Sequence, residues 1–136
     1  MKYPFLTTDE VIEAHDALIS RTGGKPGILN RGALDAALAM PYSGIGVHYF
    51  HKNAFEMAAA YLFHIGKNHP FVDGNKRTAL TTALDFLGLL DYEVEASPTE
   101  LSEFVLLIIE GPLPPSKAKE EAANFFKTRS KQLDLG

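Results

Sequence analysis

Apolar positions recur at helical spacing along most of the chain. Thr7-Thr8-Asp9-Glu10 reads as a helix start, with Thr7 and Glu10 spaced as a capping box. Val11, Ile12, His15, Leu18 and Ile19 follow on one face, and Gly23-Gly24 ends the segment, with Lys25-Pro26-Gly27 continuing the loop. Asn30 suits the cap of a short helix carrying Leu34, Ala37 and Leu38, which must stop before Pro41. From Pro41 to His51 the pattern turns irregular, with Gly44 and Gly46 among Tyr42, Tyr49 and Phe50, and predicts a loop or small flap. Lys52 to Lys67 is apolar nearly all round, which predicts a helix buried at the centre of its domain.

Pro70 disfavours helical geometry at His69, so that helix cannot run on through Asp73. A second helical run starts near Gly74 or Asn75 and carries Ala79, Leu80, Ala83, Leu84, Leu87 and Leu90. Tyr92–Ala96 alternates weakly and is too short to seed a sheet by itself. Ser97 or Thr99 opens a further helix through Ile109, Gly111–Pro115 breaks it, and Ser116 is the expected cap of a last helix to about Lys131. With no repeat, low-complexity tract or linker, the expectation is a single domain over residues 1–136. Its fold class is all-α, about six helices with a small flap or loop before the central one.

Composition narrows the possible functions. The 136 residues are 46% hydrophobic and 22% charged, enough for a core without cross-links. The absence of cysteine excludes disulfides, thiolate metal sites and cysteine nucleophiles. A net charge of -4 provides no broad field for a polyanion, and Lys127, Arg129 and Lys131 read as a solvated helix end rather than a nucleic-acid patch. Asp9 and Glu10 do not suit a signal peptide, and the apolar run Phe104–Ile109 is far too short to span a bilayer. A soluble, cytoplasmic protein is expected.

One stretch carries concentrated chemistry: His69-Pro70-Phe71-Val72-Asp73-Gly74-Asn75-Lys76-Arg77-Thr78. A helix N-terminus after Gly74 offers free N–H groups and a positive dipole end to phosphate, and Gly74 lets an anion approach the backbone. Asn75 adds an amide donor, and Lys76 and Arg77 add charge suited to phosphate oxygens. Asp73 is a hard oxygen ligand suited to magnesium, and His69 can take a proton from an attacking hydroxyl. Phe71 should face inward and hold the loop. The set has what phosphoryl or nucleotidyl transfer asks of a protein. Read blandly, the same residues are a loop histidine, an Asp-Gly turn and a solvated first helical turn. Two cations at a helix N-terminus are an electrostatic misfit that a bound anion would remove.

The segment resembles the signature of the Fic/Doc family, His-x-Phe-x-Asp-Gly/Ala-Asn-Lys/Gly-Arg, matched at His69, Phe71, Asp73, Gly74, Asn75, Lys76 and Arg77. Typical Fic proteins, which transfer AMP from ATP to a hydroxyl side chain, have glycine where this chain has Lys76. The death-on-curing branch, which acts as a protein kinase, has lysine there. The resemblance extends over roughly residues 8–130, through the His15-Asp16 and Gly23–Gly27 region, Leu34–Leu38, Phe55–Tyr61 and Thr78–Leu87. It implies His69 as general base, Asp73 as magnesium ligand, Gly74, Asn75 and Lys76 lining an anion nest, and Arg77 gripping the terminal phosphates of ATP. It further implies a toxin that phosphorylates a translation factor, elongation factor Tu in that branch, and a cognate antitoxin that occupies the site. AMP transfer, or a silent nucleotide- or partner-binding module, are the alternatives. Fic inhibition elsewhere uses Ser/Thr-x-x-x-Glu-Gly/Asn; Thr99 and Glu103 have the first spacing, but Phe104 follows, so an inhibitor in trans is implied.

Outside the motif, His48, His51 and His64 could be considered as metal ligands, but they read better as polar loop and core residues for want of a well-spaced carboxylate. Tyr42, Tyr49 and Phe50 suit either a flap that positions a target chain or core packing. Glu56 suits a surface or interhelical contact, with orientation of a motif cation as the alternative, and the Met57–Phe63 stripe reads as core.

Overall fold

The structure is a computed structural model, and it describes residues 3–46 and 48–133. These residues form α1 (Thr8–Thr22), α2 (Arg31–Ala39), α3 (Ala54–Asn68), α4 (Asn75–Leu89), α5 (Pro98–Glu110) and α6 (Pro115–Arg129). A 3-10 turn, Met40–Tyr42, leads from α2 into a two-stranded flap, β1 (Gly44–Ile45) and β2 (His48–Tyr49). The expected six-helix, all-α architecture with a flap before the central helix is therefore what the chain adopts.

α3 is the axis of the domain. Met57, Ala58, Ala60, Tyr61, Leu62 and Ile65 are fully buried, and α2, α4, α5 and α6 all pack against it. Its alanines permit the close approach of α4 and α6, and Gly66 admits Ile109 of α5, whose Cδ1 would lie 2.4 Å from any Cβ there. Both capping boxes are made, Thr7 with Glu10 and Ser97 with Glu100. Asn53 caps α3, so the helix begins at Ala54 instead of Lys52, and the Glu56 carboxylate folds back onto the Lys52 N–H and the Asn53 amide. Glu56 thus supports a helix start and reaches no motif cation.

Both ends of α6 also depart from the sequence expectation. α6 begins at Pro115, where proline's fixed φ suits a first helical position, so Ser116 lies inside the first turn instead of capping it. Its other end stops at Arg129, because Ser130–Gln132 extends as β4 and pairs antiparallel with β3 (Tyr92–Val94). The short segment that could not form a sheet alone finds its partner in the chain's far end, with Glu93 opposite Lys131. Arg129 pairs with Glu100 and lies over the Phe125 ring at 4.8 Å, so this basic end is tied down by local partners.

Candidate functional site

The motif forms the turn between α3 and α4. His69 ends α3 in the left-handed region (φ 48°, ψ 54°), an uncommon conformation for a residue with a Cβ, costing roughly 1–2 kcal/mol. Pro70 excludes the right-handed alternative, and the turn leaves the imidazole exposed at the mouth of a cleft. The loop is then sewn to residues 27–30. Pro70 O accepts from the Leu29 and Asn30 N–H groups at 2.8 and 3.1 Å, and Val72 N–H donates to Gly27 O at 3.0 Å. Phe71 is fully buried, as expected of a residue that fixes the loop.

Asn75 departs from its expected role. It is 5% exposed; its Oδ1 accepts from the Phe71 N–H and its Nδ2 donates to the Phe71 carbonyl, both at 2.9 Å. The side-chain amide offered to an anion by the sequence is used to close the loop on itself. What Asn75 retains for an anion is its backbone N–H in the first turn of α4. Gly74 caps that helix in the left-handed region (φ 76°), where a Cβ would come 2.9 Å from Ile19 Cδ1.

Asp73 stands half-buried at the cleft edge. Its Oδ2 accepts from Lys25 N–H at 3.1 Å and its Oδ1 from Gly74 N–H at 2.9 Å. Those two bonds, the first foremost, hold its carboxyl below the usual carboxylate range, with Arg77 and Lys25 adding positive charge. Gly24 makes the approach possible, because a Cβ there would meet Asp73 Oδ2 at 2.8 Å. Lys76 and Arg77 are exposed in the first turn of α4. Lys76 Nζ pairs with Glu110 Oε1 at 2.5 Å, and Arg77 donates to the Thr22 hydroxyl at 2.5 Å.

The cleft, about 450 Å³, is lined by His69, Asp73, Gly74, Asn75, Lys76 and Arg77, with Gly66, Lys67, Val72, Ile109 and Glu110 completing it. Every motif residue expected at the site therefore meets in one concavity. Asp73 has the chemistry a hard divalent cation takes, a single, firmly held carboxylate with spare lone pairs, at the edge of an open cleft.

Sequence reasoning assigned no role in the site to His15, Thr22 or Glu110. His15 showed as a member of an apolar helical face and, with Asp16, within the reach of the family resemblance, with no role attached; Thr22 and Glu110 gave no signal. The other histidines lie elsewhere. His48 is exposed on the flap, while His64 Nε2 lies 3.3 Å from Lys119 Nζ. Burial, then Lys119 and His51, pulls the His64 imidazole down to about 4, and burial and Lys119 lower His51. Among the described residues no group of three His, Asp or Glu is arranged to hold a metal ion. Tyr42 and Tyr49 pack on Phe5, with centroids 5.5 and 5.6 Å away, whereas Ile45 and Phe50 are 73% and 58% exposed. The flap is thus anchored by its tyrosines and presents apolar side chains outward. No helix among the described residues is long and apolar enough to cross a membrane.

Residues 5–87 match the sequence model of the Fic/DOC family. The chain is 37% identical to Protein kinase doc of Escherichia phage P1 over 101 residues, which cover 74% of this chain and 79% of that protein. It is 31% identical to Toxin Doc of Mycolicibacterium smegmatis over 103 residues, 69% of this chain and 79% of the relative.

Proposed function

The chain belongs to the Fic/Doc family, and on that premise we propose that it is the toxin of a toxin–antitoxin pair. In this reading it is a protein kinase that moves the γ-phosphate of ATP to a Ser or Thr hydroxyl of a translation factor, with elongation factor Tu the first candidate. The observation that carries the proposal is that the motif's polar residues, Lys76 included, gather around the N-terminus of α4 in a single cleft.

The residues divide the work. The free N–H groups of α4's first turn, with Gly74 leaving the backbone open, seat the phosphate chain. Lys76 and Arg77 neutralise charge on its oxygens, and the Thr22 hydroxyl steadies the Arg77 guanidinium. His69, exposed at the cleft mouth, accepts the proton of the incoming hydroxyl as its oxygen bonds to the γ-phosphorus and the bond to the bridging oxygen breaks, releasing ADP. Asp73 would hold magnesium, which would supply positive charge against the phosphate oxygens. The loop's many bonds keep these groups at fixed spacing, so little reorganisation is needed at reaction. The outward face of the flap, Ile45 and Phe50, suits contact with a protein substrate.

A toxin of this kind requires a cognate antitoxin in trans, and the phage relative, named a protein kinase, supports the choice of phosphate over AMP. His69→Ala tests the chemistry, since an exposed residue can be truncated without disturbing the core. The variant should lose growth arrest and phosphate transfer while keeping nucleotide binding. Undiminished transfer would remove His69 from the mechanism.

A further inference from the structure

We propose that His15 is a positioning residue that fixes the Asp73 carboxylate by locking the peptide plane between Asp73 and Gly74; the proposal rests on the role given to Asp73 above. His15 lies midway along α1, 58 residues from Asp73 in sequence, and is 0% exposed. Its Nε2 stands 2.8 Å from the Asp73 carbonyl oxygen. A carbonyl only accepts, so Nε2 carries the hydrogen. The ring lies flat on Phe71, centroids 3.8 Å apart and planes 6° from parallel. Packing alone asks only for a flat apolar ring here, and a buried imidazole is costly unless its hydrogen bond matters.

The geometry of the acceptor explains why it matters. The Asp73 carbonyl and the Gly74 N–H belong to one planar peptide unit and point in opposite directions. His15 holds the carbonyl end, and the N–H end donates to Asp73 Oδ1. Rotation of that plane would break both bonds at once. The carboxylate would then be left on the Lys25 N–H alone, a single bond about which it can swing and which holds it less firmly. Gly74 permits such rotation unless it is opposed, because glycine tolerates both orientations of the flanking peptide. Ile19 and His15 lie directly beneath it, at 2.9 and 3.7 Å from a Cβ built at Gly74. The imidazole is thus the latch on an otherwise permissive joint.

His15→Phe keeps the stack and deletes the donor, while His15→Gln restores an amide N–H at similar reach. Amide hydrogen exchange reads the joint directly. His15→Phe should speed exchange at Gly74 and Lys25 by about tenfold or more, leave the amide of Phe86 in the core unchanged, and be partly reversed in His15→Gln. Equal exchange at Gly74 in wild type and His15→Phe would overturn the proposal. In the wild type itself, a long-range 1H–15N spectrum reads the ring tautomer, and a bare Nε2 would overturn it without any variant. Manganese affinity with a non-hydrolysable ATP analogue then tests the consequence. It should weaken about tenfold in His15→Phe, the loss typical when a metal ligand's supporting partner is removed. If Asp73→Ala leaves manganese affinity unchanged, the ligand role of Asp73 fails, while the exchange data still decide the role of His15.

Discussion

Asn75→Ala separates a loop-forming role from a ligand-binding one and allows a worked magnitude. The substitution removes two hydrogen bonds of 2.9 Å and leaves the Phe71 N–H and carbonyl buried without those partners. Each orphaned group costs roughly 1–3 kcal/mol, so the loss is on the order of 2–6 kcal/mol. Domains of this size are stable by about 5–15 kcal/mol, so the change is severe. At about 2.1 cal/mol/K per residue, a 136-residue chain has an unfolding entropy near 0.3 kcal/mol per degree, and the midpoint should fall by roughly 7–20 °C. Thermal unfolding followed by circular dichroism measures it, with Asn124→Ala on the exposed face of α6 as the control expected to change little. A fall below about 3 °C would refute the reasoning. It would mean that the loop opens to water at little cost and that the amide is free to serve a ligand instead.

Gly66→Ala should destabilise by about 1–3 kcal/mol, because the new Cβ meets Ile109 Cδ1 at 2.4 Å and Cγ1 at 2.6 Å. Adding Ile109→Val should recover part of the loss in the same unfolding assay. Glu110→Gln frees Lys76 from its carboxylate partner and should tighten ATP binding severalfold in low-salt titration, an advantage that fades as salt screens the site. Weaker binding would show instead that Glu110 holds Lys76 in its working position. His64 is lowered from 6.5 to about 4, so between those values the unfolded chain binds a proton that the folded chain refuses. Stability should therefore fall as pH drops from 6.5 to about 4, and less steeply in His64→Gln, read from unfolding midpoints across that range.

The helices were legible because their signals are local. Thr7 with Glu10, Asn30 and Ser97 each satisfy free N–H groups a few residues on, and apolar spacing names the buried face of each segment. The motif was legible for the same reason, with its residues contiguous and each suited to phosphate. What stayed hidden depends on partners distant in sequence. β3 needs β4, some forty residues away, and neither strand has a pattern strong enough to announce the pair. His15 reads as one more position on an apolar face until the fold sets it under Asp73. Asn75 reads as a donor for ligands because its inward turn onto Phe71 depends on the closed loop. Glu110 and Thr22 hold the two cations only because α5 and α1 end at the same cleft.

A kinase and an AMP transferase differ in which phosphate of ATP reaches the target. The most direct measurement supplies the protein, magnesium and elongation factor Tu with ATP labelled on either the γ- or the α-phosphate, with His69→Ala in parallel. A kinase should put label on the target from the γ position alone, and none with His69→Ala. Label from the α position would contradict the kinase reading, making the enzyme an AMP transferase despite Lys76.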